Sequence, residues 1–257
     1  MLTLDDHQTG LLQRGTSGPP VVLLHSLGSD KRMWELVLDQ LAKGRRVFAY
    51  DLRGHGEAAG APHPERLTDL AHDLFAVLDA LELDAAHIVG LSYGGGIAQT
   101  AAVEAPERFA SLALLATTDR PFPDVFEHRA AAAEAGGMEA QVEESIERWF
   151  TPEAIAAQTE GVRFAREGVR AMEPAAWAAA WRAMKTLDVQ GKLASFTAPA
   201  LVVAGGADLP GTADLLRSLA DGIPQGQFIE LPGVPHLQTL ERPELIAAAL
   251  DAFLPRE

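Results

Sequence analysis

The chain contains no cysteine. Disulfides and thiolate metal sites are therefore excluded, and the composition fits a reducing compartment. Positive charge is scarce: 21 Lys and Arg face 36 Asp and Glu, a formal net charge of -15. Such a balance argues against a nucleic-acid partner, whose phosphates demand a basic face, and disfavours anionic membranes. It says little about a small ligand, because the field inside a cleft can oppose the global charge. No apolar run is long enough to span a bilayer. The opening stretch MLTLDDHQTG has neither a basic nor an apolar signal-peptide region. No signal peptide is expected, and the expected location is the cytoplasm. No internal repeat is visible.

What the chain does have is length and alternation. Its 257 residues suffice for one large α/β domain, or a core with an insertion, stable without staples. Short apolar runs PVVLLH (20–25), RVFAYDL (46–52), AHIVGLS (86–92), SLALLAT (111–117), ALVVAGG (200–206) and QFIELPG (227–233) read as strands covered on both faces. Helical patterns lie between them. One runs from a cap at Asp30 to Gly44, with Met33, Trp34, Val37, Leu38 and Leu41 as its apolar stripe. In another, Leu67, Leu70, Ala71, Leu74, Val77, Leu78 and Leu81 share a face, and a last helix spans about 243–253. This alternation predicts an α/β fold with a mostly parallel, doubly wound sheet. Residues 1–14 read as a short antiparallel hairpin at one edge. Between 121 and 190 the strands stop. That text is alanine-rich and helical, punctuated by Gly136, Gly137, Pro152 and Pro174, and it reads as an inserted helical subdomain.

The stretch HIVGLSYGGGIAQ (87–99) puts Ser92 between a strand and a helix, inside G-x-S-x-G. A nucleophile must stand proud of the sheet, so the chain bends sharply and its neighbours must be small. Gly90 and Gly94 supply that room, and Gly95 and Gly96 let the helix approach the sheet. The helix N-terminus, with the Tyr93 N–H, then points at a developing oxyanion. There is no G-x-G-x-x-G and no Walker lysine to favour a phosphate-binding turn instead.

A serine hydroxyl needs a base, and the base needs an orienting acid, here in the chain order serine, acid, histidine. Among eight histidines, His236 follows the last strand, on the rim where open α/β sheets bind ligands. Asp208 follows the strand before it. Asp119, also at a strand end, is the alternative acid. His55, in DLRGHG, reads as a turn-stabilising residue, and His25 as a support for its own loop. The second oxyanion donor belongs to the loop after the first long strand, so the backbone N–H groups of Leu27 and Tyr93 are nominated.

Taken together, HSLGSDKRMW, DLRGHG, GLSYGGGIAQ, LVVAGGAD and GVPHLQTLERP resemble the α/β-hydrolase superfamily. Within it the chain is most similar to 3-oxoadipate enol-lactonase-like carboxylesterases. The resemblance covers nearly the whole chain and is weakest in the inserted helices. It implies the α/β-hydrolase fold, with a core in residues 1–120 and 191–257 and a helical cap in 121–190. It also implies Ser92 as nucleophile, His236 as base, Asp208 as acid, and no cofactor or metal. Two features depart from the pattern: Ser26 stands where many relatives have glycine, and LPGT replaces the usual DPxTP after Asp208.

The expected activity is hydrolysis of a carboxylic ester or lactone through an acyl-enzyme. Trp34, Trp177 and Trp181 are candidates to line the substrate pocket, and each can equally serve as packing. A carboxylate-bearing lactone would call for a cap arginine, with Arg129, Arg163, Arg166 and Arg170 available. The same triad would serve a cofactor-free perhydrolase or haloperoxidase, or a carbon–carbon bond hydrolase, and the scaffold could also act as a ligand-binding receptor. The sequence leaves the oligomeric state open.

Overall fold

The computed structural model describes residues 1–256. Its central sheet has seven strands in the order β3-β5-β4-β6-β7-β8-β9. These are β3 (Leu11–Arg14), β4 (Pro20–Leu24), β5 (Arg46–Tyr50), β6 (Ala86–Leu91), β7 (Phe109–Leu115), β8 (Ala200–Gly205) and β9 (Gly226–Leu231). Only β3 runs antiparallel, against β5. Strands β4, β6 and β8 are apolar almost throughout and buried along nearly their whole length, as a sheet covered on both faces requires. Strand β9 is an edge, half-buried along its length, with Gln227 and Glu230 exposed.

The N-terminal hairpin is rearranged from expectation. Strands β1 (Leu2–Thr3) and β2 (Gln8–Thr9) pair with each other in a separate ribbon, while β3 leaves them to join the main sheet. The physical reason lies in the sheet: β5 would otherwise offer an open edge, and β3 covers it.

Helices α1 (Glu35–Leu41), α2 (Leu67–Ala80), α3 (Tyr93–Glu104), α9 (Ala213–Asp221), α10 (Gln238–Glu241) and α11 (Pro243–Phe253) belong to the strand–helix alternation. The Asp30 carboxylate caps as expected, accepting from the Arg32 N–H, but the first turn that follows is a 3-10 helix over Lys31–Trp34. Between β7 and β8 the chain is helical: α4 (Pro123–Gly136), α5 (Glu139–Trp149), α6 (Pro152–Ala157), α7 (Glu160–Ala171) and α8 (Pro174–Met184). Their buried residues, Phe126, Ile146, Val169 and Trp177 among them, join one hydrophobic cluster with the strands.

Strand β4 pairs with β5 on one side and β6 on the other, so the winding direction reverses there. The loops leaving the C-terminal ends of β4, β6, β7, β8 and β9 share one rim, with the switch point between β4 and β6. Among the described residues, no helix is long and apolar enough to cross a membrane.

Candidate active site

The bend after β6 is as tight as its sequence implies. Ser92 sits at φ 54°, ψ -109°, outside the regions a serine ordinarily adopts. The surroundings hold it there: its N–H donates to Leu115 O at 2.9 Å, and its carbonyl accepts from the Thr117 hydroxyl at 2.9 Å. The glycines are needed for approach. A Cβ on Gly90 would lie 2.4 Å from Gly94 O, and one on Gly94 would lie 2.4 Å from Leu24 O.

Three side chains from different loops meet over this bend. The Ser92 hydroxyl lies 2.8 Å from His236 Nε2. His236 Nδ1 lies 3.0 and 3.1 Å from the two carboxylate oxygens of Asp208. A carboxylate only accepts, so Nδ1 carries the proton and Nε2 presents its lone pair to the serine O–H. Both His236 and Asp208 are buried. The Asp208 carboxylate also accepts the Gly211 N–H at 3.0 Å. The departing LPGT segment therefore supplies the acid with a donor of its own. Asp119 is placed elsewhere, paired with Arg120 at 2.7 Å.

Among the described residues, neither the Leu27 N–H nor the Tyr93 N–H has a hydrogen-bond partner within the chain. Leu27 and Ser92 both line the same cavity. The loop that carries Leu27 is braced from below by two buried histidines. His25 accepts the Leu52 N–H at Nε2 (2.9 Å) and donates from Nδ1 to Ser26 O (2.8 Å). His55 accepts the Gly28 N–H at Nε2 (3.2 Å) and donates from Nδ1 to Arg53 O (3.1 Å). Burial lowers the pKa of both, to about 3 for His55, so they stay neutral and keep these tautomers. From above, α7 lies directly on the loop: a Cβ on Gly168 would be 2.4 Å from Gly28 O. His55 thus does more than steady its own turn. Gly168 carries no sequence signal for its role, because the approach it permits is purely tertiary.

The cavity over Ser92 has a volume of about 230 Å³. Leu27, Phe126, Trp149, Trp181 and Met184 give it an apolar wall, and Phe122, Val125 and Pro210 stand among the other lining residues. Of the tryptophans nominated from sequence, only Trp181 lines it. Trp34 is fully buried in the core and lies apart from the cavity, since the helical stripe that contains it faces the sheet. Trp177 is also fully buried, standing behind Trp149 and Trp181 at ring distances of 6.4 and 6.0 Å.

Arg129 is the arginine that reaches the cavity. Its guanidinium lies 4.7 Å from the Trp181 ring centre. Burial, with the nearby Arg148 charge second, lowers its pKa to about 10, which leaves it charged at neutral pH. Among the described residues it has no carboxylate partner. Arg166 and Arg170, by contrast, pair with Glu143 and Glu139 on the surface, and Arg163 donates to Gln158 O.

A mostly parallel sheet, a strained serine at a strand-to-helix bend and a histidine–carboxylate pair on the same rim define a hydrolase architecture. Residues 19–243 match the family model for the alpha/beta hydrolase fold, and the chain belongs to that family. It is 30% identical over 239 residues to 3-oxoadipate enol-lactonase 1 of Acinetobacter baylyi, covering 93% of this chain and 89% of that one. The solved enol-lactonase of Burkholderia xenovorans LB400 superposes with a TM-score of 0.93 at 28% identity, over 97% of both chains. A thermophilic esterase from Thermogutta terrifontis, solved with malate bound, superposes at 0.88 with 28% identity, over 95% of this chain and 92% of that one. The motif-based resemblance to the enol-lactonase group thus holds.

Proposed function

We propose that the protein is a cofactor-independent serine hydrolase of carboxylic esters or lactones, acting on substrates that carry a free carboxylate. The observation that carries the reading is the hydrogen-bonded chain from Ser92 through His236 to Asp208, whose serine and histidine line a cavity with Leu27, a residue whose N–H has no partner among the described residues. Ser92 Oγ attacks the carbonyl carbon while His236 Nε2 takes its proton. Asp208 holds the imidazole and stabilises the imidazolium that forms. The Leu27 and Tyr93 N–H groups receive the oxyanion. When the tetrahedral species collapses, His236 returns the proton to the leaving alkoxide. In a lactone that alkoxide stays tethered to the acyl chain. A water deprotonated by His236 then attacks the acyl-enzyme and releases the acid.

The helices α4 to α8 act as a cap over this chemistry, excluding water and selecting the acyl group. Arg129 supports the carboxylate requirement: it is a charged group with no carboxylate partner among the described residues, in an apolar wall, in a chain whose net charge is -15. The enol-lactonase relative and the malate-bound esterase are consistent with it. The test is a hydrolysis screen of paired lactones and short esters, with and without a free carboxylate. The carboxylated member of each pair should show the higher kcat/KM, and Ser92→Ala should lose both. A preference for the neutral members would remove the substrate assignment.

A further inference from the structure

The loop bearing His236 hangs from two different bodies. Up to residue 234 it is fixed to the sheet. The Ala207 N–H donates to Val234 O at 3.0 Å, and a Cβ on Gly205 would stand 2.3 Å from that same oxygen. Beyond His236 the segment still packs on α1 and α11 of the core, and it is also tied to the helical block between β7 and β8. The Leu237 N–H donates to Trp149 O at 3.1 Å. The Glu241 carboxylate takes two bonds from Thr151, the hydroxyl at 2.6 Å and the backbone N–H at 3.1 Å. Helix α7 presses on the same segment, with a Cβ on Gly161 placed 2.5 Å from Leu240 O. Trp149 closes the circuit, since it lines the cavity over Ser92.

We propose that Glu241 and Thr151 form a latch that transmits occupation of the cavity wall at Trp149 to the placement of the His236 imidazole. Glu241 is a positioning residue, acting through Leu237 and His236. An acyl group that packs on Trp149 holds the end of α5 in place. Through Trp149 O and the Thr151–Glu241 bonds, that end fixes the segment directly after His236. A short acyl group leaves the wall uncovered and gains less. Binding energy remote from the reacting carbonyl is then realised in kcat rather than in KM. A displacement of about 1 Å at a base can cost on the order of a hundredfold in rate, so a modest loosening of the latch is readable. The inference rests on the proposed roles of Ser92 and His236.

The test compares p-nitrophenyl acetate with p-nitrophenyl 4-phenylbutyrate in wild type, Glu241→Gln, Thr151→Val and Thr151→Ser. The amide of Glu241→Gln keeps the shape but loses one of the two acceptor oxygens. Thr151→Val removes the hydroxyl at nearly constant volume, and Thr151→Ser restores it. Rates are normalised to the fraction of chains labelled at Ser92 by diisopropyl fluorophosphate, which bonds Oγ to phosphorus and expels fluoride. Glu241→Gln and Thr151→Val should lower kcat for the phenylbutyrate about tenfold or more with little change in KM. The acetate should fall less, and Thr151→Ser should run close to wild type. Equal losses on both esters, a change confined to KM, or a loss only of melting temperature would overturn the latch. Should Glu241→Gln fail to fold, the two Thr151 variants carry the comparison. Failure of wild type to be labelled at Ser92 would instead strike the proposed serine mechanism, so the two failures are told apart.

Discussion

At the scale of single residues, the site is set by where hydrogen bonds end. Ser92 is held at a positive φ by donors and acceptors on both sides of its peptide unit. Arg129, by contrast, stands over the Trp181 ring with no carboxylate partner among the described residues. A charge-assisted hydrogen bond contributes about 1.5–3 kcal/mol, so Arg129→Met should raise KM for a carboxylated substrate by about tenfold to a hundredfold. The rise should be far smaller for the neutral methyl ester of the same acyl chain. Steady-state kinetics on that pair checks it.

His55 makes a different prediction. Its folded pKa, about 3, lies below the 6.5 usual for a free imidazole. Between those values the unfolded chain binds a proton that the folded chain refuses, so stability falls as pH falls through that window. The slope from this one group is about 1.4 kcal/mol per pH unit. His25 adds in the same direction, because burial lowers its pKa too. Urea denaturation at pH 6.5, 5.5 and 5.0 should show His55→Gln with a slope shallower than wild type by close to one proton. An unchanged slope would mean that His55 titrates alike in both states.

At the scale of elements, the strand-to-helix bend was the most legible feature. Every constraint there is local: a strand, a helix, and glycines wherever backbones touch. Gly94→Ala should cost about 1–3 kcal/mol or more, because its Cβ would lie 2.4 Å from the backbone oxygen of Leu24, which cannot move without breaking the sheet. Thermal denaturation should show the lower midpoint, and esterase turnover should fall with it. The six long strands were also readable, since apolar runs bounded by turn residues have few other uses in an alternating chain.

What was not legible depends on how elements face one another. Trp34 and Trp177 are as hydrophobic as Trp181, yet only Trp181 reaches the cavity. Helical periodicity gives a stripe but not which neighbour it meets. Arg129 could not be separated from Arg166 and Arg170 in the text, because their glutamate partners lie on other helices or far along the chain. The sequence of residues 1–14 reads as a hairpin, whereas β3 leaves it to cover the open edge of β5. Gly168 and Glu241 act through contacts made by the helical block as a whole, for which no local pattern exists.

At the scale of the molecule, sheet and inserted helices share one hydrophobic cluster, so the helical block is continuous with the core beneath it. That continuity lets the parts of the site arise from widely separated stretches: the Leu27 loop, the Ser92 bend, the Asp208 turn and the His236 loop all open on one rim. The chain carries a formal net charge of -15, and the cavity wall holds Arg129, a positive group with no carboxylate partner among the described residues. On the proposed function, the local charge of Arg129 opposes the global one and guides a carboxylated substrate.

The most direct measurement is rapid acid quench of the protein mixed with p-nitrophenyl acetate, followed by peptide mass analysis. One acetyl group should appear on the peptide containing Ser92, together with a burst of nitrophenolate, and Ser92→Ala should show neither. Undiminished turnover by Ser92→Ala, or acetyl on a different side chain, would contradict the account.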